Sequence, residues 1–151
     1  MKIVFLHGLE SQTGGKKPQQ LERAGHEVFE PKLPRNDFQG SLEIAQSYVD
    51  EHAPDVIVGS SRGGAVAMNV DPKGARLVLV SPAWNIYGTN ARIASNSTVI
   101  HSKEDNTIPY SDSMTLSALN KAKLVQAGSD HRMNDQEALA AILDAVERWQ
   151  H

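Results

Sequence analysis

The stretch "VGSSRGGAV", residues 58–66, holds two adjacent serines among three glycines. It overlaps the end of an aliphatic run, "DVIVG" (55–59), and continues into small residues that suit a tightly packed helix. In the pattern G-x-S-x-G, a strand turns abruptly into a helix and presents a serine hydroxyl at the turn. The stretch therefore predicts a strand, a sharp turn and a helix.

The spacing of the glycines selects one of the two serines. Positions two before and two after the serine approach each other at such a turn, so a side chain at either place would clash. Gly59, Ser61 and Gly63 satisfy this requirement. A frame on Ser60 would need glycine where the chain has Val58. Ser61 is thus the candidate nucleophile.

Two other interpretations fit the same stretch. The first is a glycine-rich turn in which the serine has no chemical role. The second is a phosphate-binding turn at a helix N-terminus, but the nucleotide-binding patterns G-x-G-x-x-G and G-x-x-x-x-G-K-[ST] do not occur. The choice between a reactive serine and a plain turn then depends on partner residues elsewhere in the chain.

Composition limits the class of protein. The 151 residues, 40% hydrophobic and 22% charged, predict one globular domain over 1–151. A net charge of −3, with 15 scattered Lys and Arg, disfavours nucleic acids and membrane surfaces as partners and favours a small molecule. No cysteine is present, which removes thiolate catalysis, disulfides and cysteine-based zinc sites. The short apolar run before His7 does not suit a signal peptide or a membrane span. We expect a soluble cytoplasmic protein, monomeric by default.

Val- and Ile-rich runs alternate with helical segments along the chain. The predicted strands are 2–7, 27–31, 55–59, 76–81, 98–102 and 123–128. The predicted helices are approximately 17–24, 41–52, 62–70, 110–120 and 134–150. This alternation predicts one open, doubly wound α/β sheet with the functional residues just beyond the carboxyl ends of its strands.

The last helix has the clearest pattern. Asn134 is the predicted N-cap, with Glu137 three residues later. An apolar stripe at helical spacing should pack on the sheet; it consists of Leu139, Ile142, Leu143, Val146 and Trp149.

Loops after two later strands hold the partners that a reactive serine needs. A histidine must accept the serine proton, and a carboxylate must orient that histidine. The loop after 98–102 offers Glu104 and Asp105, and the loop after 123–128 offers His131. Residue spacing leaves Glu104 and Asp105 open, and Asp130 is disfavoured because a sequence neighbour of His131 usually points elsewhere.

The other histidines suit the base less well. His26 and His52 precede strands, His151 is terminal, and His101 lies within a strand.

An oxyanion hole needs two N–H donors near the reacting carbonyl. The residue after the nucleophile, Arg62, supplies one candidate donor. In "LHGLES" after the first strand, Gly8 lets the backbone bend toward the nucleophile, and the N–H of Leu9 is the second candidate. His7 has either a buried structural role or a place in the site.

These segments together resemble the α/β-hydrolase superfamily, in particular its minimal single-domain serine esterases without a cap. The motifs are "FLHGLES" for the loop after the first strand here, "VGSSRGG" for the nucleophile elbow, "HSKEDNTIP" for the acid loop and "GSDH" for the histidine loop. The resemblance implies Ser61 as nucleophile, His131 as base and Asp105 as acid, because Asp105 lies four residues before Pro109 as in the family's acid loop. It assigns the oxyanion N–H groups to Leu9 and Arg62.

The resemblance also implies an architecture. It is a reduced three-layer α/β/α sandwich whose six parallel strands lie in the order 2-1-3-4-5-6, without the two N-terminal strands of the larger family. Ser102 stands where the acid loop usually has glycine. Residues 82–97 are all that occupies the place of a cap, which predicts an open, shallow site. Its predicted pocket walls are His7, Trp84, Tyr87, Ile108 and Met133.

The expected activity is hydrolysis of small carboxylic esters through an acyl-enzyme, with no metal or cofactor. A thioesterase or acyltransferase would use the same triad, and a binding module could keep the fold without turnover.

Overall fold

Six parallel strands form one sheet in the computed structural model, which describes residues 1–9 and 13–148. The strands are β1 (Lys2–Leu6), β2 (Glu27–Phe29), β3 (Val56–Ser60), β4 (Arg76–Val80), β5 (Thr98–His101) and β6 (Lys123–Gln126). Their order across the sheet is β2-β1-β3-β4-β5-β6, and every neighbouring pair is parallel. This confirms the predicted strand order and the predicted α/β class.

Helices cover both faces of the sheet. They are α1 (Lys16–Arg23), α2 (Phe38–His52), α3 (Arg62–Asn69), α4 (Tyr110–Asn120) and α5 (Gln136–Glu147). One core cluster joins α2, α3 and α4 to the sheet, and a second joins α1 and α5 to its other face. The predicted three-layer α/β/α architecture is therefore correct.

Alternating side chains of each strand enter the two cores. In β1, Val4 and Leu6 pack into the first cluster, whereas Ile3 and Phe5 pack into the second. Successive side chains of a strand point to opposite faces of the sheet. Because helices cover both faces of a parallel sheet, side chains of both orientations are buried, and the sequence of the strand is a continuous apolar run. Burial of these side chains from water is the main stabilising contribution to the sheet.

Several strands end earlier than the sequence predicted. β4 ends before Ser81, whose φ of +46° is left-handed, and β6 ends before Gly128, whose φ is +88°. Such a backbone conformation stops the extended ladder. β2 ends at Phe29 and does not include Pro31, which has no N–H to donate. The chain therefore leaves the sheet sooner and gives more residues to the loops at its carboxyl edge.

Helix boundaries differ where capping residues act. α2 begins at Phe38, three residues before the predicted start, because Asp37 Oδ1 accepts a hydrogen bond from Gly40 N at 2.8 Å and caps the helix. The longest described helix, α2, has 15 residues, and none among the described residues meets the length and hydrophobicity that crossing a bilayer requires.

The predicted N-cap of the last helix is wrong by one residue. α5 begins at Gln136, and Asp135 caps it by accepting from Ala138 N. Asn134 accepts a hydrogen bond from Lys17 Nζ at 2.9 Å, and Glu137 accepts one from Gly128 N. Ile142 and Val146 of the predicted stripe are buried, and Leu139 and Leu143 are partly buried. The stripe's last member, Trp149, lies outside the described residues.

Candidate active site

A strained turn between β3 and α3 holds Ser61. Its backbone has φ +56° and ψ −117°, a conformation that is rare for a residue with a side chain. A Cβ on Gly59 would lie 2.5 Å from Gly63 O, and a Cβ on Gly63 would overlap the carbonyl oxygen of Leu6 in β1. The two glycines that frame Ser61 are thus required by contacts, one of them with a neighbouring strand.

Backbone hydrogen bonds fix the turn on both sides. Ser61 N donates to Val80 O at 2.9 Å, and the Ser61 carbonyl accepts from Ala83 N at 3.0 Å and from Gly64 N at 2.9 Å. These bonds tie the serine to the end of β4 and to the first turn of α3. The surrounding structure therefore sustains a backbone conformation that the serine alone would not favour.

Three side chains from separate loops form one hydrogen-bond chain. Ser61 Oγ lies 2.8 Å from His131 Nε2, and His131 Nδ1 lies 2.6 Å from Asp105 Oδ2. An ionised carboxylate only accepts hydrogen bonds, so the neutral His131 ring carries its proton on Nδ1. Nε2 is then the acceptor for the Ser61 hydroxyl. The structure brings together the serine, histidine and acid that the sequence singled out.

The Asp105 carboxyl is fully buried and held in its charged form. Burial acts to raise its pKa, but hydrogen bonds from Ile108 N, His131 and Thr107 N outweigh burial and leave the pKa of Asp105 below its usual value. Both backbone bonds end on Oδ1 and measure 2.8 Å. Glu104, the alternative acid in the sequence, is exposed.

A second histidine contacts the same carboxylate oxygen, although no role in the site was predicted for it. His101, the last residue of β5, is fully buried, and its Nε2 lies 2.8 Å from Asp105 Oδ2. Its Nδ1 lies 2.6 Å from Ser113 Oγ on α4. Burial lowers the pKa of His101, against the opposing hydrogen bond and charge of Asp105. The four-residue spacing between His101 and Asp105 could have indicated that the two side chains are close. His101 was interpreted only as a strand residue, so this spacing was not used.

A cavity of about 530 Å³ opens at Ser61. Its wall includes Ser61, His131 and the two residues predicted to give oxyanion N–H groups, Leu9 and Arg62. Gly8 also lies in this wall, and a Cβ there would be 3.2 Å from Ser61 Cβ. Gly8, at the start of the loop after β1, thus lies directly against Ser61.

The predicted pocket walls divide into two groups. Tyr87 and Ile108 line the cavity. Trp84 and Met133 do not: Trp84 is 9% exposed and donates from Nε1 to Asp112 O at 3.2 Å, and Met133 is fully buried in the core beneath α5. Their assignment as pocket walls is corrected, because both residues hold loops against the protein interior.

His7 also lies away from this wall. Its Nε2 accepts from Leu33 N at 3.2 Å, so its proton is on Nδ1, which lies 2.8 Å from Gly8 O. The ring therefore joins the loop after β1 to the chain beyond β2, and it faces a neighbouring cavity of about 640 Å³. It has the structural role that the sequence left open.

The side chain of Arg62 stabilises the part of the cavity wall that contains Tyr87. Its guanidinium donates to Pro34 O at 3.0 Å and lies 5.5 Å and 5.7 Å from the ring centres of Phe38 and Tyr87. The two rings stack at 5.1 Å. This packing holds Tyr87 of the 82–97 segment next to α2.

Two cationic side chains of the wall were not predicted. Lys17, in the first turn of α1, is 8% exposed, and Arg132 follows His131 directly. A lysine beside the first loop carries no sequence signal for burial. Among the described residues, no group of three or more histidine or carboxylate side chains is arranged to hold a metal ion.

The sheet order, the serine elbow and the loops around it define the α/β-hydrolase fold, and solved structures match it closely. A protein of the α/β-hydrolase superfamily from Xanthomonas campestris pv. campestris has 22% identity and a TM-score of 0.69, with 95% of this chain and 94% of that chain covered. A monoacylglycerol lipase from Paleococcus ferrophilus has 15% identity and a TM-score of 0.78, with 96% and 91% covered.

The esterase domain of a Rhodothermus marinus protein has 15% identity and a TM-score of 0.75, with 98% of this chain and 84% of that domain covered. No protein-family model and no curated protein matches the sequence. At these identities the similarity establishes the fold.

Proposed function

We propose that the protein is a serine hydrolase that cleaves small carboxylic esters through an acyl-enzyme intermediate. The observation that carries the proposal is the continuous hydrogen-bond chain from Ser61 Oγ through His131 to Asp105. It lies at the mouth of a cavity large enough for a small ester. Neighbouring folds that are named as a hydrolase, an esterase and a lipase support hydrolysis as the reaction class.

In the first step, Ser61 Oγ attacks the ester carbonyl while its proton passes to His131 Nε2. Asp105 keeps the ring oriented and stabilises the imidazolium that forms. The tetrahedral intermediate then collapses: the bond to the alcohol oxygen breaks, and His131 gives its proton to that oxygen. Ser61 is left acylated.

In the second step, water attacks the acyl-enzyme and His131 takes one of its protons. Collapse of this intermediate releases the carboxylic acid and returns the proton to Ser61 Oγ. We assign stabilisation of both oxyanions to the N–H groups of Leu9 and Arg62, which lie in the wall beside the nucleophile. Apart from the ester and water, the groups that take part in these steps all belong to the chain.

Hydrolysis of p-nitrophenyl butyrate tests the proposal. We expect turnover by the wild-type protein and a loss of kcat of about 10⁴-fold or more in Ser61→Ala. Ser60→Ala is the matched control, since it removes the neighbouring hydroxyl outside the glycine frame; it should keep at least a tenth of the wild-type rate.

Equal rates in wild-type protein and Ser61→Ala would contradict the mechanism. A folded wild-type protein without turnover would favour the alternative of a binding module on a hydrolase fold.

A further inference from the structure

The wall of the Ser61 cavity contains a buried cation, Lys17, that forms no ion pair with a carboxylate of the described residues. Lys17 is 8% exposed, and its Nζ donates to the neutral side-chain oxygen of Asn134 at 2.9 Å. Among residues 1–9 and 13–148, no carboxylate oxygen lies within 4.0 Å of this ammonium group. Removing a charge from water is costly unless another charge or several hydrogen bonds replace the water.

The charge around the cavity has a sign opposite to that of the whole chain. Its charged lining consists of three cationic side chains, Lys17, Arg62 and Arg132, and one anionic side chain, Asp130, whereas the chain has a net charge of −3. Burial, and then the positive charge of Arg132, lower the pKa of Lys17 to about 8, against a smaller opposite effect of Asp130. A concave site with concentrated positive charge attracts anionic ligands.

We infer that the cavity takes esters that carry a carboxylate group, and that Lys17 binds this group. The inference rests on the proposed esterase function and adds its substrate class. A carboxylate would accept a hydrogen bond from the ammonium and place a negative charge in direct contact with it, which no carboxylate of the described residues does. The side-chain amide of Asn134, which lies in the same wall, offers a second donor.

Two pairs of esters with matched shape test the inference. The first pair is mono-p-nitrophenyl adipate and p-nitrophenyl hexanoate, which place the carboxylate on the acyl side. The second pair is 3-carboxyphenyl and 3-carbamoylphenyl hexanoate, which place it on the alcohol side. We expect the wild-type kcat/KM to favour the carboxylate ester at least tenfold in one pair, and Lys17→Met to remove most of that preference.

Lys16→Met is the matched control, since it removes the same charge from the exposed neighbouring residue; it should keep the preference. The preference should also fall as the pH rises through about 8, where the Lys17 ammonium loses its proton. His131 acts on both esters of a pair, so its own titration cancels in the ratio.

A wild-type ratio near one in both pairs would overturn the inference without any variant. So would a preference that Lys17→Met leaves intact. Either result leaves the proposed function standing if Ser61→Ala still abolishes hydrolysis of the neutral hexanoate, so the two claims fail separately.

A different observation concerns His101, which shares Asp105 Oδ2 with His131. The carboxylate only accepts, so His101 Nε2 carries a proton and donates at 2.8 Å. In the neutral ring Nδ1 is then the acceptor of the Ser113 hydroxyl at 2.6 Å. The hydrogen bonds thus run from Ser113 through His101 to the acid of the triad, and no atom of His101 is exposed.

The geometry points to His101 as a positioning residue that partly neutralises the Asp105 carboxylate and so limits how strongly it stabilises the protonated form of His131. This too rests on the proposed function. Other ionisable or charged groups near the pair include Tyr110, whose ring centre is 5.6 Å from that of His101, and Lys103, whose Nζ is 5.8 Å from the Tyr110 ring centre. The cavity wall adds Lys17, Asp130 and Arg132. Substitution of His101 leaves all of these groups in place.

His101→Met, which keeps similar bulk and removes the donor, is compared with His101→Gln, which keeps a side-chain N–H. Without the donor, Asp105 binds the His131 imidazolium more strongly. We therefore expect the acidic limb of the kcat/KM profile to move to higher pH by several tenths of a unit in His101→Met. His101→Gln should restore the wild-type limb in part, and Ser113→Ala should shift it in the same direction by less.

An unchanged acidic limb in both His101→Met and Ser113→Ala would overturn this assignment. Ser113→Ala keeps the histidine and so decides the question if His101→Met does not fold. A loss of rate with no movement of the limb would mean that His101 has only a packing role. None of these results bears on Ser61, whose own substitution tests the mechanism.

Discussion

At the scale of single residues, the glycine spacing within 58–66 predicted part of the packing around Ser61. The glycine frame correctly required space two residues before and after the serine, and Gly59 does approach Gly63 O. Gly63 has a further constraint from Leu6 O of β1. That contact joins residues far apart in the sequence, so no spacing rule within 58–66 could have revealed it.

Gly63→Ala should disturb both stability and the site. The new Cβ would overlap backbone atoms of β1, and backbone can yield only by moving the strand or the elbow. We expect a loss of roughly 1–3 kcal/mol in the free energy of unfolding, typical of overpacking, together with a large loss of activity.

Gly64→Ala is the comparison, because its Cβ would lie 2.9 Å from Pro82 Cβ and 3.0 Å from Pro82 Cα, which is a less severe overlap than at Gly63, so a smaller effect is expected. Urea unfolding followed by circular dichroism measures the difference. A Gly63→Ala protein as stable as wild type would show that the elbow is less tightly packed than described.

The candidate site was predictable only in part. Serine, acid and histidine were accessible because each follows a strand, and parallel strands place such residues at one edge. The choice of Asp105 over Glu104 depended on the family resemblance. Lys17 was missed because its importance comes from burial and from a partner 117 residues away, Asn134. His101 was missed because its spacing to Asp105 does not reveal that the ring is buried and bonded to Ser113.

At the scale of elements, apolar runs located every strand and helical signals located every described helix, while boundaries moved by one to three residues. The ends moved where a specific atom intervenes, such as Asp37 capping α2. The last helix begins later than predicted because two adjacent residues are suitable N-caps. Lys17 donates a hydrogen bond to Asn134, and Asp135 caps α5. The residue pattern of one segment cannot predict tertiary hydrogen bonds of this kind.

The segment 82–97 is the element whose role the sequence described least well. It was expected to supply pocket walls, yet Trp84 is turned inward and bonded to Asp112 O on α4. Tyr87, stacked on Phe38, faces the cavity. Exposed Ile86 also lines the cavity and extends its apolar surface. The segment thus both closes the core and borders the site.

At the scale of the whole molecule, the sheet order followed from the resemblance and is confirmed by the strand pairing. Solved structures of 15–22% identity share this architecture over nearly the entire chain. The fold brings the loops after β1, β3, β5 and β6 to one edge, where the described site lies. We propose that the groups at this edge activate Ser61 as a nucleophile.

Reaction of the folded protein with a fluorophosphonate tests that claim most directly, because it needs the activated serine and requires no knowledge of the natural substrate. We expect mass spectrometry to show one phosphonyl adduct, located on Ser61, with labelling slowed by at least a hundredfold in His131→Ala and absent in urea-unfolded protein. Folded wild-type protein that stays unlabelled, or that carries the adduct on another residue, would contradict the account.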